Sequence, residues 1–242
     1  MKRILITNDD GIYGEGLRIL ASWARKLGQI VVVAPKTEQS ACGQSIVLRR
    51  PYACEKSNVL SDLGIEAYEL DSTPADCVRI ACYLFGSFDL MFSGVNNGFN
   101  TGQFIAYSGT CGAILEAAAH GIPAVAFSTY AGKLPEIVDD LPRVWAYFEA
   151  HELLKRHSLY NVNLTPGFRE CLITRQQPFF DCERYVSEGE GLYRSVLDLS
   201  MWNGRERDLQ NDMEALFAGY CSITPMRTGQ TDEEAYERLK EN

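Results

Sequence analysis

The segment Ile4-Leu5-Ile6-Thr7-Asn8-Asp9-Asp10-Gly11 joins a short apolar run to two neighbouring carboxylates and a glycine. Arg3 to Thr7 lacks the polar alternation of a half-exposed strand and reads as one buried on both faces. Gly16 to Lys26 follows as a helix with Leu17, Leu20, Trp23, Ala24 and Leu27 on one side, and Gly28 stops it. Ile30-Val31-Val32-Val33-Ala34 is then a second continuous apolar strand.

The same alternation continues outward. Glu66 to Leu70 is a strand, and Thr73-Pro74-Ala75-Asp76 opens a helix that carries Val78 to Phe85. There Thr73 is the N-cap, Pro74 takes the first helical position and Asp76 lies in the first turn. Asp89 to Ser93 is the next strand, followed by a Gly- and Asn-rich loop and an Ala-rich helix from Cys111 to His120. Gly121 and Pro123 close that helix, and Ala124 to Ser128 is another buried strand. Repeated β-α-β units with apolar strands predict an α/β fold, doubly wound around a mostly parallel, Rossmann-like sheet.

The second half is less regular. Pro135 to His157 reads as helix interrupted at Pro142, and Leu159 to Leu164 as a strand stopped near Pro166. Cys171 to Arg175 and Leu192 to Leu199 read as strands outside the main sheet. Met213 to Tyr220 reads as helix, Cys221 to Thr224 as strand, and Glu233 to Lys240 as a charged terminal helix. The expected division is a Rossmann-like α/β core over residues 1–165 and a β-rich C-terminal extension over 166–242.

Hydrophobic residues make up 46% of the 242 and charged residues 23%, which suits one large domain with a smaller appendage. The formal net charge of −9 argues against a nucleic-acid duplex as partner, because duplex binding needs basic side chains to neutralise phosphates. An anionic substrate would meet the same deficit, which a bound divalent cation inverts locally. The eight cysteines are irregularly spaced with no C-x-x-C, and several lie in apolar runs such as Cys77-Val78-Arg79-Ile80-Ala81-Cys82. No disulfide framework is expected. The apolar run after Lys2 and Arg3 is too short for a secretory signal, and no stretch approaches a membrane span. The expectation is a cytoplasmic protein with no membrane partner.

Adjacent carboxylates repel, and the crevice beyond the strand ends of an open α/β sheet keeps such a pair most readily around a cation. Taken alone, Asp-Asp-Gly is an ordinary solvated turn. What changes the reading is that two later strands also end in oxygen-rich loops, Pro35 to Ser45 and Gly94 to Asn100. Carboxylate, hydroxyl and amide oxygens match Mg²⁺, Mn²⁺ or Ca²⁺ better than Zn²⁺. The only histidines, His120, His151 and His157, lie away from these loops. Tyr107-Ser108-Gly109-Thr110-Cys111-Gly112 opens a helix with small residues, which suits either simple N-capping or an anion at the helix dipole. Glycine-rich nucleotide fingerprints, the phosphate loop and the G-x-S-x-G elbow are all missing. Lys36, Arg49 and Arg50 read as solvated, and Trp145, Tyr147 and Phe148 as core or interface.

Taken together, Ile6 to Gly11, Val33-Ala34-Pro35 with Glu38-Gln39-Ser40, Thr73 to Val78, Ser93 to Gly102 and Tyr107 to Thr110 resemble the survival protein E (SurE) nucleotidase family. Gly121 to Ala124 and Gly219 to Pro225 extend the resemblance over nearly the whole chain. It implies a metal-dependent phosphatase acting on nucleoside monophosphates, on 5′- and also 3′-nucleotides, with short polyphosphate as a further substrate. It implies one divalent cation per subunit, Mg²⁺ or Mn²⁺, held by Asp9, Asp10, Ser40 and Asn96. Asp9, Asp10 and Asn96 would be catalytic, and Asn100, Ser108, Gly109 and Thr110 would line the phosphate pocket. It further implies a homodimer or homotetramer with exchanged C-terminal elements. Gln44 stands where the family pattern has His or Asn, Cys111 where it usually has Val, and Trp202 to Asn211 diverges. A non-catalytic nucleotide or phosphate sensor is the alternative, although a pure binder would gain more from Lys or Arg. A scaffold with a vestigial site is a third reading, drawn from the acidic terminal helix.

Overall fold

A computed structural model of the chain describes residues 1–178, 182–200 and 206–240. β1 (Lys2–Thr7) leads through α1 (Glu15–Ala24) to β2 (Gly28–Pro35), β3 (Cys54–Ser57) and β4 (Glu66–Leu70). Next come α2 (Pro74–Phe85), β5 (Leu90–Asn97), α3 (Gly109–Ala119), β6 (Ala124–Thr129), α4 (Asp140–Ala150), α5 (Leu153–Arg156) and β7 (Leu159–Leu164). The chain continues through β8 (Cys171–Ile173), β9 (Glu183–Gly189), β10 (Leu192–Leu197), α6 (Asp212–Phe217), β11 (Cys221–Pro225) and α7 (Glu233–Lys240).

Among the described residues, nine strands form one sheet in the order β3-β4-β2-β1-β5-β6-β7-β11-β8. β4, β2, β1, β5, β6 and β7 run parallel, each paired in register with its neighbour. The strand order reverses between β1 and β5, the switch point at which doubly wound sheets open a ligand crevice. The doubly wound α/β architecture is therefore present as expected.

Apolar strands explain the two-sided core. Ile4 and Ile6 face Leu17, Leu20 and Trp23 of α1, while Leu5 faces the α2 and α3 side with Val78, Cys111 and Ile114. Trp23, Phe92, Phe127 and Trp145 form an aromatic cluster on the first face, with Phe92 and Trp145 ring centroids 5.5 Å apart. Gly16 lets α1 settle on β5, since a Cβ there would lie 1.9 Å from the Val95 carbonyl oxygen. The Thr73 hydroxyl caps α2 by accepting from Asp76 N at 3.2 Å, with Pro74 next in line.

Some expectations are corrected. Cys171 to Arg175 is not outside the main sheet: β8 pairs parallel with β11, which pairs antiparallel with β7. These strands satisfy the ladder groups that β7 would otherwise leave open. Helix α4 runs through Pro142 without interruption, because that residue sits in the first turn, where no backbone N–H partner is needed. The break falls instead between a 3₁₀ turn ending at Ile137 and the start of α4. β5 extends past Ser93 to Asn97 through a register irregularity, so Asn96 belongs to the strand and not to the loop. β9 and the antiparallel edge strand β3 were not anticipated. The divergent stretch from Trp202 lies outside the described residues as far as 205. No described helix is long and apolar enough to cross a membrane, and no disulfide joins the cysteines.

Candidate active site

Beyond the end of β1, Asn8 Nδ2 donates to the Gly11 carbonyl at 2.9 Å and closes the turn that presents both carboxylates. Gln39 N donates to the Asp9 carbonyl at 2.7 Å and Ile12 N to the Pro35 carbonyl at 2.8 Å, which zips the loops after β1 and β2 together. β5 delivers its amides from the other side of the switch point. Asn97 N donates to Asp10 Oδ2 at 3.3 Å. Asn96 Nδ2 donates to the Gly98 carbonyl at 2.6 Å, which leaves Asn96 Oδ1 as the acceptor available to a ligand. The Ser40 hydroxyl donates to the Glu38 carboxylate.

The start of α3 is turned toward Asp9. Thr110 donates twice, from its hydroxyl to Asp9 Oδ1 at 2.6 Å and from its backbone N to Oδ2 at 2.9 Å. Ser108 caps the helix by accepting from Cys111 N at 3.1 Å. Gly109 permits the approach, since a Cβ there would lie 2.9 Å from Asp9 Cβ and 2.7 Å from Cys42 Sγ. Gly109 and Thr110, expected at the phosphate pocket, lie next to Ser108 and are engaged with Asp9. Both are buried, and their N–H groups serve the Asp9 carboxylate, so the anion at this helix N-terminus belongs to the protein.

A cavity of about 320 Å³ opens at this point. Asp9, Ser40, Asn96, Asn100 and Ser108 are its polar lining, and Phe99, Phe104, Tyr107 and Leu197 its apolar lining. Asp10 adjoins through Asp9 and Asn97 and is not one of the lining residues. Phe99 is braced by Phe104, Tyr130 and Phe217, with the Phe217 ring centroid at 5.6 Å. Asn100 Nδ2 donates to Ser128 Oγ at 2.9 Å. The aromatic wall was missed in the sequence, where Phe99, Phe104 and Tyr107 carry no local signature. Gln44 lies off the cavity and donates to Glu116 Oε2 at 3.3 Å.

The electrostatics are those of an unbalanced anion pair. Burial pushes the Asp9 carboxyl up, against the Thr110 hydrogen bonds that pull it down. Burial and the charge of Asp9 push Asp10 up to about 6, with Glu38 adding to the effect and the Asn97 N–H opposing it. Among the described residues no Lys, Arg or His lines the cavity, so none of the lining side chains described cancels this charge. A hard divalent cation fits the donor set, with two carboxylates to neutralise it and neutral oxygens of Ser40 and Asn96 beside them.

The family model for survival protein SurE matches residues 4–178. The chain is 38% identical over 235 residues to a protein of Thermus thermophilus named 5′-nucleotidase SurE 1, covering 93% of this chain and 91% of that relative. A 5′-nucleotidase SurE of Deinococcus radiodurans is 34% identical over 247 residues, covering 95% of this chain and 88% of its own length. The crystal structure of the SurE protein from Aquifex aeolicus superposes with a TM-score of 0.80 at 27% identity, covering 99% of this chain and 98% of that one. With its strand order, its paired carboxylates at the switch point and these relatives along its whole length, the chain belongs to the SurE survival-protein family.

Proposed function

We propose that the chain is a 5′-nucleotidase that needs one divalent cation per subunit, Mg²⁺ or Mn²⁺, and releases phosphate from nucleoside monophosphates. The observation that carries this reading is a cavity whose wall combines carboxylate, hydroxyl and amide groups with aromatic side chains. A nucleotide offers both a phosphate and a base to such a wall. Asp9, Asp10, Ser40 and Asn96 are the residues to hold the cation. When bound, the cation supplies Lewis-acid polarisation of the phosphoryl oxygens and makes an attacking water more acidic.

The chain supplies the rest. Thr110 fixes the Asp9 carboxylate in one orientation, and Asn97 does the same for Asp10. Asn100 and Ser108 face the phosphoryl oxygens and hold them as charge redistributes. Water adds its oxygen to phosphorus, the ester P–O bond breaks, and the nucleoside oxygen leaves with a proton. Since no histidine lines the cavity, Asp9 and Asp10 are the groups able to accept the proton of the nucleophile.

Phe104 and Tyr107 offer faces on which a nucleobase stacks, an interaction of about 1–3 kcal/mol per base. Aromatic lining, with no Lys or Arg among the described lining residues, suits a nucleoside better than the repeating anions of polyphosphate, which we place with 3′-nucleotides as a secondary substrate. We further propose that residues 166–242 build a homodimer or homotetramer, because the β9–β10 ribbon leaves Tyr185, Leu192 and Tyr193 exposed. A two-stranded ribbon is marginal unless it packs on something else. A cytoplasmic location goes with this reading.

Phosphate release from AMP, measured with EDTA, Mg²⁺ and Mn²⁺, tests the proposal. Wild type should turn over only with the cation, and Asp9→Asn should keep the fold and lose nearly all release. Tight AMP binding without turnover would favour the sensor reading instead.

A further inference from the structure

β7 carries two asparagines inside the sheet, between parallel β6 and antiparallel β11, where a strand covered on both faces is normally apolar throughout. Asn161 and Asn163 are fully buried on either side of Val162, so both point to the α3 face. A buried amide is tolerated only when its hydrogen bonds are made, so their partners are informative. Those partners converge on one residue. Asn163 Oδ1 accepts from Asn100 N at 2.8 Å, and Asn163 Nδ2 donates to the Asn100 carbonyl at 3.0 Å. Asn161 Nδ2 donates to the same carbonyl at 2.7 Å. Asn161 Oδ1 in turn accepts a weak bond from the Cys111 thiol, with sulfur and oxygen 3.6 Å apart, in the first turn of α3. The backbone of Asn100 is thus bound to side chains of a strand remote in sequence.

We propose that Asn161 and Asn163 are positioning residues for phosphate recognition: they clamp Asn100 to the sheet and, through Cys111, keep it in fixed spacing with the Ser108 end of α3. Neither asparagine lines the cavity, and both act through Asn100. The inference rests on the reading of Asn100 and Ser108 as phosphate-facing groups. It follows the general requirement that a binding group be held within a fraction of an ångström by the residues behind it. Among the described residues the side chains assigned to the cation have no hydrogen bond to β7, and the Asn163 bonds reach only Asn100, so loss of Asn163 should affect the phosphate and leave the cation alone.

The test compares Mn²⁺-loaded wild type with Asn163→Ala and Asn161→Ala. Calorimetric titration with inorganic phosphate gives Kd, and AMP hydrolysis gives kcat and KM. Asn163→Ala should bind phosphate at least tenfold more weakly and lose at least tenfold in kcat, while its Mn²⁺ Kd stays within twofold of wild type. Asn161→Ala should move the same way by a smaller factor, because both Asn163 bonds remain. Folded Asn163→Ala that matches wild type within twofold in phosphate Kd and kcat, with only its melting temperature lowered, overturns the proposal. Should Asn163→Ala not fold, unchanged phosphate binding in Asn161→Ala overturns it equally. Wild type that binds phosphate but leaves AMP intact would refute the nucleotidase reading, and phosphate affinity of the variants would still decide the clamp.

Discussion

Asp10 shows at the scale of single residues how the site trades stability for cation binding. Its carboxyl titrates at about 6 in the folded chain against 3.8 without the fold, so the folded state binds the proton more tightly. The stability this provides is complete below 3.8 and lost as pH rises through about 6. Metal-free protein should therefore melt at a higher temperature at pH 5 than at pH 7 as far as this group is concerned, and Mn²⁺ affinity should weaken over the same fall in pH. Asp10→Asn should stabilise the metal-free protein at pH 7 by about 1–2 kcal/mol, after allowance for solvent screening, while abolishing turnover. Thermal melts in EDTA and in Mn²⁺ check both statements; a metal-free Asp10→Asn less stable than wild type would contradict them. Phe104 carries a second prediction. Removing its ring in Phe104→Ala should raise KM for AMP about tenfold and leave KM for ribose 5-phosphate nearly unchanged, as stacking requires a base. Equal losses on both substrates would place Phe104 outside the base site.

At the scale of elements, what was legible in the sequence was what is locally determined. Thr73-Pro74 announced α2 because capping involves residues three apart, and Ser108 announced α3 for the same reason. The apolar runs of β1 and β2 told of burial on both faces without any knowledge of neighbours. What was hidden depends on distant partners. Thr110 turns toward Asp9, 101 positions earlier, a carboxylate clamp that the local pattern of the helix start does not reveal. β8 has three residues and no pattern of its own, and only its pairing with β11 makes it a strand of the main sheet. Pro142 misled because its position within a helix cannot be read until the helix start is known. Located in the first turn of α4, it should be replaceable: Pro142→Ala is expected to change unfolding free energy by less than about 1 kcal/mol. Chemical denaturation measures this, and a loss of 3 kcal/mol or more, the order expected for disturbing a helix interior, would contradict the assignment.

For the whole molecule, the six-strand parallel sheet places the carboxylates of β1 and the amides of β5 at the one point where strand order reverses. Three loops that share no sequence proximity thereby meet in one cavity. The β9–β10 ribbon stands apart from this sheet, yet Leu197 at its end reaches the cavity wall. Replacing its exposed aromatics in Tyr185→Glu/Tyr193→Glu should lower the molar mass seen by light scattering toward that of one 27.1 kDa chain, with helical content retained. An unchanged mass would remove the ribbon from the interface. On the proposed function, Asp9, Asp10, Ser40 and Asn96 gather around one cation. Anomalous diffraction from crystals grown with Mn²⁺ tests it most directly. The expected map has a single strong peak within coordination distance of those four side chains; no peak among them, or a peak held by other residues, would overturn the assignment.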